Sequence, residues 1–173
     1  MKILLSSILV IFLFFTNQSF SEQKIAFIDM DKVISTSKSG SSILKQLTVV
    51  NNKNLKFLKD KEKKFKEKDA KLISQKKIIS ETDFKNKVNE LKSEIKTYNK
   101  NRNKILADFN KLKIDNTNNL LKLINQILVK FSDDKEIAII LQKKDLVVAK
   151  TQLDITDEVI KIVNSEVKEF KIK

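Results

Sequence analysis

Carboxylates are the residues of this sequence best able to do acid–base chemistry, because the chain has 22 Asp and Glu residues but no His and no Cys. Two carboxylates can serve as general acid and general base, as in glycoside hydrolysis. Without imidazole or thiolate, the usual bases, nucleophiles and transition-metal ligands are missing. The acids are scattered among 35 Lys and Arg residues, which is typical of a solvated helix surface. We therefore expect no enzyme, no metal site and no cofactor.

Glycine-rich phosphate sites are excluded as well. Gly40 is the only glycine of the chain, and proline is absent. The P-loop and the dinucleotide fingerprint each need several glycines to bring the backbone close to a phosphate. The sequence therefore predicts no nucleotide-dependent activity.

Residues 1–21 have the layout of a secretory signal peptide. A single positive charge, Lys2, precedes an apolar run from Ile3 to Phe15, and a polar stretch then leads to Ser21. The apolar run is about 13 residues, short of the roughly 20 that a helix needs to cross a bilayer. We expect cleavage after Ser21 and a mature chain outside the cytoplasm. The alternative is an uncleaved N-terminal anchor.

Two long helical segments follow the first 43 residues. In the second segment, positions that are apolar except for Arg102 step by four and three without a slip, which is a heptad pattern. The first segment repeats apolar residues at every seventh position, and its companion positions are Leu55, Glu62, Asp69 and Lys76. Three of these four are polar, so its stripe is half as wide. The heptad positions of the two segments are Leu44, Leu58, Phe65, Leu72 and Ile79, then Phe84, Val88, Leu91, Ile95, Tyr98, Arg102, Ile105, Phe109 and Leu112.

A turn between Ile79 and Phe84 would fold the two segments into an antiparallel coiled coil. Ser80 with Asp83 three residues later resembles a helix start. In an antiparallel pair the numbers of facing residues have a nearly constant sum, and the apolar positions satisfy this condition with a sum of 163. The same register places polar residues of the first helix in every second layer.

One of these polar layers contains a candidate ion pair between Glu62 and Arg102. At such an exposed site the pair would contribute at most about 1 kcal/mol.

The two ends of the mature chain predict a small body. Residues 24–29 read as a strand, and two β-branched runs at 136–141 and 145–149 read as two more, as a candidate hairpin. An amphipathic helix follows with Thr156 as its expected cap. Three strands and one helix can form only a small hydrophobic core for so long an arm. We therefore expect oligomerisation to complete this core.

The predicted fold class is thus α+β, a long antiparallel helical-hairpin arm on a small β body. The predicted boundaries are a signal peptide at 1–21, a β-rich association body at 22–43 and 131–173, and an arm at 44–130 with its tip near 79–84.

The net charge is concentrated on the arm. Removal of Lys2 leaves a mature charge of +12, and between Asn51 and Asp115 there are 20 basic and 10 acidic residues, a net +10. A basic arm could attract an anionic membrane surface, nucleic acid or acidic polypeptide. The alternative is a compositional bias toward lysine with no functional meaning.

Three short segments and their order resemble the Skp/OmpH family of periplasmic chaperones over essentially the whole mature chain. The segments are Lys24–Met30 at its start, Asp145–Val148, and Asp154–Thr156 before the last helix. The signal peptide and the basic hairpin between the segments add to the resemblance.

The resemblance implies a homotrimer in which strands from three chains form a body and three arms enclose a cavity. It also implies binding of unfolded outer-membrane proteins in the periplasm without ATP. Lipopolysaccharide binding has been proposed for family members, but no motif here matches it, and we assign no residues to it. The residues that we expect in the association body are Ile25, Phe27, Ile137, Ile139, Leu146 and Val148.

A candidate client surface comes from apolar arm residues that lie off the heptad stripe. The hairpin alone does not bury them, so they could make weak contacts with an unfolded client, although scattered surface apolar residues are also normal. These residues are Phe57, Ile73, Ile78, Leu106 and Ile114.

Two other functions remain open for the sequence. One is a basic protein that binds nucleic acid or the anionic envelope, which the net charge permits. No stacking platform or groove-reading motif supports specific nucleic-acid binding. The other is a structural spacer of the envelope.

Overall fold

The computed structural model describes residues 24–173. The signal-peptide interpretation and the cleavage after Ser21 fall outside the described residues. The elements in chain order are β1 (Lys24–Ile28), α1 (Met30–Thr36), α2 (Lys38–Gln75), α3 (Glu81–Lys135), β2 (Ile137–Gln142) and α4 (Thr156–Glu166), with single 3₁₀ turns at Lys143–Asp145 and Thr151–Leu153.

Helices α2 and α3 form the predicted antiparallel arm. They have 38 and 55 residues, which correspond to lengths of about 57 and 83 Å at 1.5 Å per residue. The predicted start at Ser80 is confirmed, because its hydroxyl accepts a hydrogen bond from the backbone N–H of Asp83 and donates one to the Asp83 carboxylate. The turn occupies residues 76–80, and α3 begins at Glu81.

Strands β1 and β2 pair in parallel, with Phe27 opposite Leu141. The whole helical hairpin is therefore the crossover connection between two neighbouring strands. The strand β2 follows directly after Glu136, whose left-handed backbone (φ 55°) ends α3 and turns the chain. On the other edge of β1, the carbonyl of Phe27 accepts a hydrogen bond from the N–H of Ile155.

The prediction of a strand at 145–149, and of a hairpin with β2, is wrong for the described chain. The sheet contains two strands among residues 24–173. The 3₁₀ turn at Lys143–Asp145 leads the chain away from the sheet, and the residues after it find no strand partner within this chain. Val147 and Val148 consequently remain 99% and 89% exposed.

The core lies where the base of the arm meets the body. Buried side chains of β1, α1 and α4 pack against the first turns of α2 and the last five turns of α3. Val33, Ile124, Val159 and Val163 have no exposed surface. Burial of this kind stabilises by about 1.5–3 kcal/mol per large apolar side chain, so burial stabilises the base more than the distal arm.

Gly40 lies where α2 passes close to the backbone of α1. A Cβ at this position would lie 1.8 Å from the carbonyl oxygen of Ile34. The hydroxyl of Ser37, which caps α2, accepts a hydrogen bond from the N–H of Gly40. The only glycine of the chain is therefore required by a close backbone approach.

Thr156 is not the cap that the sequence predicts. It is the first residue of α4, and its hydroxyl instead accepts a hydrogen bond from the N–H of Asp29 and donates one to the Asp154 carboxylate. That carboxylate also accepts from the N–H of Thr156. The hydroxyl therefore links the end of β1 to the start of α4.

The segment after α4, residues 167–173, crosses the base of the arm as a strap. The Gln46 amide on α2 donates to the carbonyl of Phe170 and accepts from the N–H of Ile172. On α3, Asn116 makes the equivalent pair of contacts with an oxygen and the N–H of Lys173. The strap thus ties both arm helices to the body.

Candidate client-binding arm

The seam between α2 and α3 follows the predicted register. The residue numbers of Phe65 and Tyr98 sum to 163, and their rings meet edge to face with centroids 5.3 Å apart. Leu58 and Leu72 in the same seam are only 6% and 8% exposed. The apolar layers are therefore well packed, although the arm is only two helices thick.

The candidate ion pair in this seam does not form. The Glu62 carboxylate instead accepts a hydrogen bond from the Tyr98 hydroxyl at 2.8 Å, and none of the described residues forms an ion pair with Arg102. Tyr98 lies one turn before Arg102 on the same face of α3. Its hydroxyl takes the place of Arg102 as the partner of the Glu62 carboxylate. Burial, and then the hydrogen bond to Glu62, raise the pKa of Tyr98 above its ordinary value.

An open groove runs along one side of the seam. Its volume is about 900 Å³. Apart from Ser93 and three seam residues, every lining residue directly precedes a seam position. The groove is lined by Phe57, Lys61, Lys64, Phe65 and Lys68 from α2, and by Glu90, Ser93, Glu94, Thr97, Tyr98, Asn101, Lys104, Ile105 and Asp108 from α3.

Acidic groups partly neutralise the lysines on the groove side of the arm. The ammonium group of Lys68 lies 2.6 Å from the Glu94 carboxylate across the two helices. Beside it, the Lys61 ammonium group sits 5.8 Å above the Phe57 ring. Between Phe57 and Lys111, the positions that precede the seam carry seven lysines and four acidic residues, namely Asp83, Glu90, Glu94 and Asp108.

The opposite side of the arm, formed by residues that directly follow a seam position, has a different charge. With 3.6 residues per turn in two antiparallel helices, these residues share one face. Within α2 and α3, between positions 56 and 113, this face carries eight exposed lysines and no Asp or Glu; Lys77, a ninth, lies in the turn. We call it the lysine face; from α2 it includes Lys56, Lys59, Lys63 and Lys66. From α3 it includes Lys85, Lys92, Lys96 and Lys113.

The five candidate client-contacting residues are all exposed, but they do not share one surface. Phe57 lines the groove, whereas Ile73 and Leu106 lie on the lysine face. Ile78 belongs to the turn at the tip, and Ile114 lies two residues from seam positions on both sides, so it points outward. The arm therefore presents isolated apolar side chains on several sides.

The six candidate body residues divide into buried and exposed groups. Phe27 is buried within this chain, and Ile137 and Leu146 are half-buried. Ile25, Ile139 and Val148 are exposed. The exposed members lie on or beside a sheet of only two strands, which leaves apolar surface uncovered.

Sequence reasoning missed the groove, the lysine face and the strap. The groove and the lysine face follow from heptad positions, so the presence of acidic residues before but not after these positions was a usable signal. Gln46 and Asn116 gave no such signal, because their partners lie more than 50 residues away.

Among residues 24–173, no cluster of side chains is suited to hold a metal ion. Within the same range, none of the helices combines the length and apolarity that a membrane crossing requires.

Comparison with known proteins now gives the family. The family model described as outer membrane protein (OmpH-like) matches residues 24–163. A crystal structure from Caulobacter crescentus CB15, described as a candidate outer membrane chaperone (OmpH-like), has a TM-score of 0.74 and 12% sequence identity. The match covers 87% of this chain and 89% of that one. No curated protein sequence matches the chain. With the fold and most of the sequence in agreement, the chain belongs to the OmpH-like family.

Proposed function

We propose that this protein is an ATP-independent holdase chaperone of the periplasm that binds unfolded outer-membrane proteins and prevents their aggregation. The observation that carries the proposal is the arm, a long two-helix projection with exposed, separate apolar side chains on a basic surface. Such side chains make weak contacts that an unfolded polypeptide can exchange. The family membership and the description of the Caulobacter protein as a candidate chaperone support the same function.

The mechanism needs no reacting group. Apolar contacts supply about 25 cal/mol per Å² of buried surface, so several small contacts hold a client without fixing its conformation. The polar layers of the seam leave the arm less tightly packed than its base, which favours bending around clients of different size. The strap and the core hold the base while the distal arm adapts.

A homotrimer is the assembly that we propose for this function. The exposed residues Ile25, Ile139, Val147 and Val148 beside an incomplete sheet support association of bodies through added strands. Three arms on one body would enclose a cavity for the client. Sedimentation equilibrium of the mature chain is expected to give three times the monomer mass, and a monomer at micromolar concentration would contradict the assembly.

The direct test of the holdase is aggregation of an outer-membrane protein diluted from urea, followed by light scattering. The mature chain is expected to suppress scattering without ATP. Replacing Phe57, Ile73, Ile78, Leu106 and Ile114 together by Ser is expected to weaken suppression. The control replaces three exposed apolar residues at the base by Ser, namely Val49, Leu123 and Val129. Unchanged suppression by the five-residue variant would exclude these residues as client contacts, and an inactive wild type would refute the holdase.

A second candidate is binding of nucleic acid or of an anionic envelope surface, for which the net charge of the arm is the supporting observation. Phosphate-driven binding weakens steeply as salt rises. Affinity for DNA that falls with salt, together with no effect on aggregation, would favour this alternative. A purely structural spacer would show neither property.

A further inference from the structure

Positive charge is distributed unevenly around the arm. The lysine face carries eight lysines and no acidic residue, whereas the groove side carries seven lysines and four acids over nearly the same length. On the lysine face, Lys63 has an acidic neighbour, Glu67, at 3.8 Å on its own helix. The other seven lysines form no ion pair with the described residues. Their field is therefore not cancelled locally.

Two exposed apolar side chains interrupt this row of lysines. Leu106 follows Ile105, which the register places opposite Leu58, and Ile73 lies about 22 Å further toward the tip at 1.5 Å per residue. An extended polypeptide would cover that distance with about seven residues at 3.3 Å each. The face thus alternates lysines with single apolar contacts at a spacing that one extended segment can span.

We propose that the lysine face binds extended segments of unfolded polypeptide that combine carboxylate and apolar side chains. The proposal rests on the proposed holdase function and adds the side of the arm and the chemistry of the client segments. Carboxylates would pair with the lysines, and apolar residues would contact Ile73 and Leu106. The groove side binds such segments less well, because its own Glu and Asp side chains partly neutralise its lysines.

The exposed apolar residues of the lysine face favour a polypeptide over a lipid surface. The lysines alone could pair with carboxylates or with phosphate groups, whereas Ile73 and Leu106 need apolar partners at the same surface. A flexible chain can follow the face along its length. Its side chains also supply the apolar contacts that phosphate groups lack.

The experiment compares two variants with the same loss of charge. One replaces Lys59, Lys66, Lys92 and Lys96 on the lysine face by Gln. The control replaces Lys61, Lys64, Lys104 and Lys111 on the groove side by Gln. All eight residues are exposed, and Gln keeps helix propensity, so both variants are expected to retain wild-type circular dichroism.

The probes are two fluorescent, unstructured peptides with the same apolar residues, one containing Glu and the other Lys. Binding is measured by anisotropy at low salt. The lysine-face variant is expected to bind the Glu peptide about 15-fold more weakly than wild type, since each of four exposed lysine–carboxylate contacts contributes a factor of about two. The groove variant is expected to lose less than about threefold, and the Lys peptide is expected to bind weakly to every protein.

Equal losses in the two variants would overturn the proposal in favour of a general effect of net charge. No loss in the lysine-face variant would overturn it as well. Selective loss of binding to phosphatidylglycerol vesicles, with peptide binding kept, would identify the face as a lipid site instead. Light scattering with the urea-diluted client separates the two proposals, because a wild type that suppresses aggregation but ignores peptide charge refutes only this inference.

Discussion

The register places Asp69 at a seam position opposite Ile95, and replacing Asp69 with Leu tests whether polar layers weaken the arm. Ile95 is 36% exposed although it lies in the seam, because the short carboxylate cannot cover it. Leu58 and Leu72, at apolar positions of the same helix, are almost fully buried. A leucine at position 69 would therefore be buried to a similar degree and would cover Ile95.

Burial of one leucine stabilises by about 1.5–3 kcal/mol, and we take about 2 kcal/mol for this two-helix seam. That value corresponds to about 30-fold slower hydrogen exchange of the amides around position 69, if exchange proceeds through local opening of the arm. The measurement is native-state hydrogen exchange by mass spectrometry, with the amides at the base of α3 as an internal reference.

The matched control is Asp60→Leu, which makes the same chemical change at an exposed position midway between seam residues. It gains only helix propensity, about 0.5 kcal/mol, and should slow exchange about twofold. If both variants slow exchange equally, propensity explains the effect and the polar layer is not a weak point. If Asp69→Leu changes nothing, the argument from packing is refuted.

Three further predictions concern the base. Gly40→Ala is expected to lower the free energy of unfolding by about 3 kcal/mol, because its Cβ would overlap the carbonyl of Ile34; a urea midpoint equal to wild type would contradict the close approach. Asn116→Ala removes the buried amide that holds the strap and is expected to cost about 1–2 kcal/mol and to speed trypsin cleavage after Lys168, whereas unchanged cleavage would show that the strap does not depend on Asn116. Burial acts to raise the pKa of the Asp154 carboxyl, but hydrogen bonds from Thr156 and the contact with Lys143 lower it below its ordinary value of 3.8. Its stabilisation is therefore present above that value and lost as pH falls through the lowered pKa, so Asp154→Asn is expected to be less stable at neutral pH and to lose less stability on acidification. Parallel urea titrations at several pH values measure this, and identical pH dependence in both proteins would contradict it.

The arm was predictable because its signals are local. The heptad steps from Phe84 to Leu112 and the start of a helix at Ser80 depend on residues within one or two turns. The constant sum then fixed which residues face one another, as the contact of Phe65 with Tyr98 confirms.

The body was less predictable because its contacts join distant parts of the chain. The parallel pairing of β1 with β2, and the role of Thr156 at the end of β1, depend on residues more than 100 positions apart. The run at 145–149 has strand propensity, but propensity does not supply a partner strand. In the seam, the register alone did not show that the partner of Glu62 is the hydroxyl of Tyr98 and not the side chain of Arg102.

The parallel pairing of β1 and β2 across the whole arm also sets an order of folding. The two strands are separated by more than 100 residues, and closing so long a flexible loop is slow and entropically unfavourable. The arm contains mostly near-neighbour contacts and can form first, which brings the ends of its two helices, and hence both strands, together. In this order β1 has no partner strand until β2 has been brought next to it, and Ile25 and Phe27 of β1 stay uncovered until then. We therefore expect this protein to pass, in its own folding, through a stage that resembles the clients it is proposed to hold.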